Sequence, residues 1–273
     1  MTLKNLEVLE GAADAGTRIP LQVRDGRAYL LGHEMFADSP FVLLNEIERL
    51  LVTDEPHLVV TANVDQALNL RRDPVLDRAY SIASLRLIDG QPLVAALRLL
   101  GMPSVFRNTG ADLIDDVARS AGARNWRIAV FGGGAGTAER AAAALADRAR
   151  NSVIEGFAFP FVSSARDPRA KAVVSELAAF RPDIVFMCLG SPKQEEWYLE
   201  WRDQLPPGVY VGAGAAVDFA AGRRVRAPRW VQKLGAEWTW RLAQEPRRLA
   251  SRYLVKGPGF LGLLATSLVA SLR

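Results

Sequence analysis

Asp183-Ile-Val-Phe-Met-Cys-Leu-Gly-Ser-Pro-Lys-Gln-Glu-Glu196 decides the fold. The apolar, partly β-branched run from Ile184 to Leu189 is shorter than an ordinary helix and stops at Gly190, which predicts a buried strand of a parallel sheet. Gly190, Ser191 and Pro192 then supply a flexible turn, a residue of N-cap type and a proline suited to the first helical turn. Lys193, Gln194, Glu195 and Glu196 fall on the first turn of a helix that runs on through Trp197 and Leu199. Polar side chains therefore stand at the carboxyl end of a strand, beside a helix N-terminus. Open α/β sheets bind ligands there, and free N–H groups favour an anion such as a nucleotide phosphate. Spacing alone does not separate that reading from an ordinary strand, turn and helix with solvated polar residues.

The same alternation extends in both directions. Towards the N-terminus, Asp25-Gly26 reads as a turn before a short strand at 28–32, and apolar spacing from Phe41 to Leu51 predicts an amphipathic helix over 39–53. His57 to Asn63 reads as a second buried strand with Thr61 and Asn63 at its carboxyl end, while His57 starts the strand at the other end and is expected to be structural. A helix over 64–82, interrupted at Pro74, leads to a third strand, Leu85-Arg-Leu-Ile-Asp-Gly90. Asp89 there suits a general base, a ribose hydroxyl ligand or a helix cap, and by residue type alone the cap comes first. Thr109-Gly-Ala-Asp112 opens another helix.

Trp126-Arg-Ile-Ala-Val-Phe-Gly-Gly-Gly-Ala-Gly136, followed by an alanine-rich helix to Arg150, is a strand, glycine turn and helix of the kind that lets backbone N–H groups approach phosphate. Gly132, Gly134 and Thr137 do not complete a G-x-G-x-x-G and no Walker lysine follows, so a close helix–strand turn explains them equally well. A strand over 153–159, a helix over 168–180 and a strand over 209–214 continue the pattern. The expected fold class is α/β: a Rossmann-like, mostly parallel sheet flanked by helices.

Composition narrows the chemistry. The chain has 273 residues, 49% hydrophobic, enough for one large α/β domain and an appendage. Its single cysteine, Cys188, excludes an internal disulfide framework and any multi-cysteine metal site, and reads as a buried thiol. Two histidines leave little material for zinc clusters or His-centred triads. Residues 1–16 carry acids and lack the apolar centre of a secretion signal, and no stretch approaches the ~20 apolar residues of a spanning helix, so a cytoplasmic protein is expected.

Charge is uneven. Of the net +4, residues 223–273 hold eleven Lys and Arg against two acids, a local +9, which leaves −5 on residues 1–222. This tail, interrupted by Pro228, Gly235 and Pro246, interleaves arginine with Trp230, Trp238, Trp240 and Tyr253, which suits an anionic partner: nucleic acid, a phosphate-bearing substrate or a lipid surface. Sixteen uncharged residues between Lys256 and Arg273 would form a helix of about 24 Å, shorter than the ~30 Å hydrocarbon core, suited to lying in the interface or to packing as a buried helix. Three parts are expected: an N-terminal extension over 1–27, the core over 28–222, and a basic helical C-terminal appendage over 223–273.

The motifs stand in the order of one family. Thr61-Ala-Asn63, Asp89-Gly90, Thr109-Gly-Ala-Asp112, Gly190-Ser-Pro-Lys-Gln-Glu195, Gly212-Ala-Gly214 with Asp218-Phe219, Arg226-Ala-Pro-Arg-Trp230, Glu237-Trp238, Arg241-Leu242 and Glu245-Pro-Arg-Arg-Leu249 through Tyr253 resemble the WecG/TagA/CpsF glycosyltransferases, or glycosyltransferase family 26, over roughly residues 28–254. The Gly-Ser-Pro-Lys-Gln-Glu and Arg-Ala-Pro-Arg-Trp motifs in this order are the specific part. Ala62 and Ala236 depart from residues common in the family without removing a functional group.

The resemblance implies transfer of a sugar from a UDP-sugar to a polyprenyl-diphosphate-linked saccharide at the cytoplasmic membrane face, during surface polysaccharide assembly. It implies an inverting, metal-independent reaction with no cofactor, and the sequence agrees in having no Asp-x-Asp. On the family pattern Asp89 matches the base, and Thr61, Asn63 and Gln194 match positions lining the sugar and acceptor site. Arg226, Arg247 and Arg252 are the candidate diphosphate contacts. Gly132, Gly190, Ser191, Lys193, Glu195 and Arg229 complete the expected substrate-binding set. A peripheral membrane location follows from the acceptor, and a homo-oligomer that buries the tail's apolar surface is compatible with the same composition. Two rivals rest on single features: a nucleic-acid-binding protein on the basic tail, and an NAD(P)-dependent oxidoreductase on the glycine turn at 132–136. No nucleic-acid motif supports the first.

Overall fold

The structure is a computed structural model and describes residues 19–149, 152–228, 230–231, 236–250 and 257–272. Strands β4 (Pro56–Ala62), β5 (Leu85–Ile88), β6 (Ile128–Gly132), β7 (Ile154–Phe157), β8 (Ile184–Cys188) and β9 (Gly208–Gly212) form one parallel sheet in the order β5-β4-β9-β8-β6-β7. All residues of β6, β8 and β9 are buried. That explains their near-continuous apolar runs, because helices cover both faces.

Alternation along each strand divides the core in two. Leu58, Val60 and Ala62 of β4 face one layer with Met187 and Trp197, while Val59 faces the other with Phe186 and Val211. Helices α1 (Pro40–Leu50), α5 (Gly110–Arg124), α6 (Thr137–Ala146) and α9 (Ala216–Ala220) supply the second layer. The first takes α2 (Val64–Asn69), α3 (Pro74–Ile82), α4 (Gln91–Leu99), α7 (Ala172–Phe180) and α8 (Lys193–Trp201). The Rossmann-like reading holds. Helix α6 ends at Ala146, short of the expected Arg150, which lies outside the described residues.

Where one short strand over 28–32 is expected, the structure has three. β1 (Leu21–Arg24), β2 (Arg27–Leu30) and β3 (His33–Met35) form an antiparallel sheet, with Asp25 and Gly26 at φ 51° and 71° in the tight turn. Strands of three or four residues carry too little alternation to stand out. Phe36 docks this sheet on the main one, its N–H donating to the Arg86 carbonyl at 2.8 Å.

Beyond α9 the described tail contains α10 (Glu237–Gln244), α11 (Pro246–Ala250) and α12 (Gly259–Ser271). Helix α12 packs on the core along one face: Phe260, Leu263 and Ser267 are buried, and Ser267 Oγ accepts from the Leu21 N–H at 2.9 Å. Its other face leaves Leu261, Val269 and Leu272 exposed. Among the described residues no helix is long and apolar enough to cross a membrane.

Candidate active site

The neighbouring parallel strands β5, β4 and β9 bring their carboxyl ends to the same edge of the sheet. At the end of β4, Thr61 donates to the Gly212 carbonyl at 2.7 Å, tying two neighbouring strand ends together. Asn63 caps α2, its Oδ1 accepting from the N–H groups of Asp65 and Gln66 at 3.0 and 3.2 Å. The Asp89 N–H donates to the Ala62 carbonyl at 2.7 Å, which brings the carboxyl end of β5 beside Asn63.

Asp89 is not a helix cap. Gly90 holds the cap position of α4, at φ 129°, and makes no side-chain cap bond. The Asp89 carboxyl instead faces a cavity of about 460 Å³, lined among others by Asn63, Arg107, Glu237, Arg241 and Phe260. Burial pushes this carboxyl up to about 6; Arg107 and Arg241 favour its charge, and Glu237 opposes it. Core and tail both contribute to the lining, with Phe260 and Leu261 of α12 adding apolar side chains.

Arg107 links this cavity to a smaller one of about 240 Å³ that includes Asn108, Thr109 and Asp112. It donates to Glu237 of α10 at 3.0 Å and lies 3.8 Å from Asp112. Thr109 caps α5 by accepting from the Asp112 N–H at 2.9 Å, and its hydroxyl donates to Asp112 Oδ2 at 2.7 Å. Gly110 is required beside it, because a Cβ there would lie 2.8 Å from Ala213 Cα.

Of the expected arginines, Arg226 is bound to Asp112, at 2.6 and 2.8 Å. Arg247 is exposed on α11, and Arg229 and Arg252 lie outside the described residues. Two neighbours are also engaged with the core: Arg223 donates to Thr137 at 2.6 Å, and Arg224 pairs with Glu245 at 2.7 Å and Asp218 at 3.5 Å. Much of the tail's first positive charge is therefore fastened to core and tail acids.

The opening stretch divides. Ser191 is not a cap: Pro192, after a cis Ser191–Pro192 peptide, holds that position of α8. Gly190 faces open space at φ 79°. Lys193 donates to the Val162 carbonyl and lies 5.7 Å over the Phe159 ring, in the loop beyond β7. Gln194 and Glu195 are buried under the ends of β4 and β9. Gly132, at φ 106°, serves close packing, since a Cβ would meet the Cys188 carbonyl at 2.5 Å. Burial pushes the Cys188 thiol up to about 12, in keeping with an inert side chain.

Arg107 has no place among the expected site residues, and Glu237 and Arg241 enter the sequence reading only as parts of family motifs, without a site role. Arg107 sits in a stretch without periodicity and gives no spacing signal. Glu237 and Arg241 stand four apart, hence on one face of a helix, and that signal was available. Among the described residues, no group of three or more His, Cys, Asp or Glu is placed to hold a metal ion.

Residues 29–273 match the model of the glycosyl transferase WecG/TagA/CpsF family. A protein of Bacillus spizizenii named N-acetylglucosaminyldiphosphoundecaprenol N-acetyl-beta-D-mannosaminyltransferase is 29% identical over 194 residues, covering 70% of this chain and 72% of its own. A protein of the same name from Staphylococcus aureus (strain MW2) is 29% identical over 199 residues, 73% of each chain.

Proposed function

This chain belongs to the glycosyl transferase WecG/TagA/CpsF family and is a glycosyltransferase, and on that premise we propose that it moves a sugar from a UDP-sugar to a polyprenyl-diphosphate-linked saccharide. The acceptor class follows the relatives, whose names specify N-acetylglucosaminyldiphosphoundecaprenol. The sugar is an N-acetylhexosamine, its uronic acid or a hexose, and the product feeds surface polysaccharide assembly. The observation that carries this reading is Asp89, a carboxyl pushed up to about 6 in a cavity it shares with Arg107 and Arg241.

The reaction is one in-line displacement with inversion. Asp89 takes the proton of the acceptor hydroxyl as that oxygen attacks the anomeric carbon, and the bond from that carbon to the UDP oxygen breaks. A carboxyl near 6 is ionised at neutral pH yet basic enough to share that proton. UDP departs with the bonding pair, so cations must meet the growing charge. Arg107 and Arg241 line the Asp89 cavity; Arg226, Arg247 and Arg252 are further candidates from the tail. No divalent ion is assigned a role. Thr61 and Gln194 shape the strand ends on which donor and acceptor meet.

The acceptor's lipid keeps it in the membrane, so the protein works at the cytoplasmic membrane face. The exposed Trp230, Leu261 and Leu272 and the arginine-rich tail suit contact with an anionic surface. The test is UDP release by the full chain across a panel of UDP-sugars, with a short-chain lipid-diphosphate saccharide and EDTA present. Acceptor-dependent release with one donor is expected. Failure to bind UDP at all would refute the reading.

A further inference from the structure

Beneath the strand ends lies a buried polar chain that the reaction does not use directly. Glu195 is completely buried in the first turn of α8. Its Oε1 accepts from Gln194 Nε2 at 3.0 Å and from Gln66 Nε2 at 3.4 Å. Gln194 Oε1 accepts from the Gly214 N–H at 3.1 Å, and Gln66 Oε1 accepts from the Tyr80 hydroxyl at 2.7 Å. Glu195 Oε2 is buried without a hydrogen-bond partner; burial pushes this carboxyl up, and the Gln194 amide, the Glu195 backbone and the Ser191 hydroxyl only partly oppose it.

The direction of this chain follows from what each group can do. An amide side chain has one accepting and one donating end, whereas a carboxylate only accepts. Both NH₂ groups must therefore turn to Glu195, which leaves both amide oxygens for donors: the Gly214 N–H and the Tyr80 hydroxyl. Burial pushes the Tyr80 phenol far above its ordinary value, so it stays a donor. Reversing either amide would set donor against donor in a buried place. Gly212 makes room for the arrangement, since a Cβ there would lie 2.5 Å from Gln194 Nε2.

The two ends of the chain reach the ends of the neighbouring strands β4 and β9. Gln194 holds the turn after β9, whose Gly212 carbonyl receives Thr61. Gln66 lies in the first turn of α2, which begins at Asn63 in the cavity of Asp89. We propose that Glu195 is a positioning residue of the transfer site: its carboxyl group orients the Gln194 and Gln66 amides and so fixes the start of α2 and the β9 turn, one and two strands across the sheet from Asp89. The inference rests on the transferase reading for its kinetic consequence, not for its geometry.

The full chain is compared as wild type, Glu195→Met and Glu195→Gln, by melting temperature, Gly214 amide hydrogen exchange, and kcat and KM across pH. Glu195→Met keeps the volume and removes the acceptor; Gly214 then exchanges faster and kcat/KM falls on the order of 10²-fold, as for an ångström-scale misplacement. Glu195→Gln keeps an acceptor oxygen for both amides and turns its NH₂ to the Oε2 side. It is expected to rescue Gly214 protection and to bring kcat/KM within about threefold of wild type, with the ascending pH limb unmoved. Glu195→Gln as impaired as Glu195→Met, with Gly214 protected in both, would mean that Glu195 touches substrate and would overturn the proposal. So would loss of Gly214 protection in Glu195→Gln, or normal rates in Glu195→Met. If Glu195→Met does not fold, Glu195→Gln decides alone. A wild type that transfers no sugar refutes the transferase reading, and amide exchange still judges the positioning role.

Discussion

Arg226 closes on Asp112 with both arms of its guanidinium, Nη1 at 2.6 Å from Oδ1 and Nη2 at 2.8 Å from Oδ2, across 114 positions of sequence. The first arginine of Arg-Ala-Pro-Arg-Trp thus fastens the basic tail to the cap of α5. Burial raises the Asp112 carboxyl, but the Arg226 bonds outweigh it and hold it below the ordinary carboxylate range. A depressed carboxyl contributes stability that is present above its unfolded pKa and lost as pH falls through the folded one. Arg226→Lys keeps charge and loses the two-armed geometry. It should cost about 1 kcal/mol, because Asp112 is partly solvated, with a larger proportional loss of transfer activity. The melting difference between wild type and Asp112→Asn should be greatest at neutral pH and fade in acid; a difference that does not fade would show that the pair is not what stabilises the tail.

Asp89 has the opposite sign. Its carboxyl is raised from 3.8 to about 6, so folding favours the protonated form and stability from this group declines as pH rises from about 4 to about 6. Asp89→Asn should melt above wild type at pH 7 to 8 and match it below pH 4. As the proposed base, the same residue gives kcat/KM an ascending limb near pH 6, and Asp89→Asn should lose roughly 10²- to 10⁴-fold. Normal turnover by a folded Asp89→Asn protein would remove Asp89 from that role.

The parallel sheet was legible because β4, β6, β8 and β9 are apolar runs closed by glycine or polar residues, and burial on both faces leaves such runs little alternative. The short β1 and β3 were not, since their pairing is settled by a turn and by contact with β5. In the site, Asp89 read as a cap because residue type says nothing about register. The glycine one position later took that place and left the carboxyl to the cavity. Gln194 and Glu195 were legible as polar residues of a helix start, but Gln194 fits only because Gly212 lacks a side chain, and Glu195 meets Gln66 of another helix, which no local pattern encodes.

Gly110 tests how tightly the site is fixed to the sheet. A methyl group there meets Ala213 Cα at 2.8 Å and Ala213 O at 3.1 Å, both backbone atoms that cannot swing aside. Gly110→Ala must push the start of α5 from the end of β9 and carry Thr109, Asp112 and Arg226 with it. Overpacking of this kind costs typically ~1–3 kcal/mol. The expected result is a lowered melting temperature together with reduced kcat/KM. Unchanged melting would mean that the approach relaxes freely.

Helix α12 allows folding and the proposed membrane contact to be tested separately, because one of its faces is buried and the other exposed. Phe260 is 7% exposed and joins the core, so Phe260→Ala should cost ~3 kcal/mol and open the Asp89 cavity. Leu261 and Leu272 are 67% and 87% exposed. Polar replacement of either should leave the melting temperature nearly unchanged. If this face enters an anionic bilayer, each lost leucine removes ~1.5–3 kcal/mol of burial, on the order of tenfold or more in partitioning onto vesicles. Salt should weaken what binding remains, since the arginines act through a screened surface potential. Sedimentation of the full chain with anionic vesicles, wild type against Leu261→Ser and Leu272→Ser, measures this directly. Equal partitioning of all three would confine α12 to packing and leave membrane contact to the arginines and Trp230.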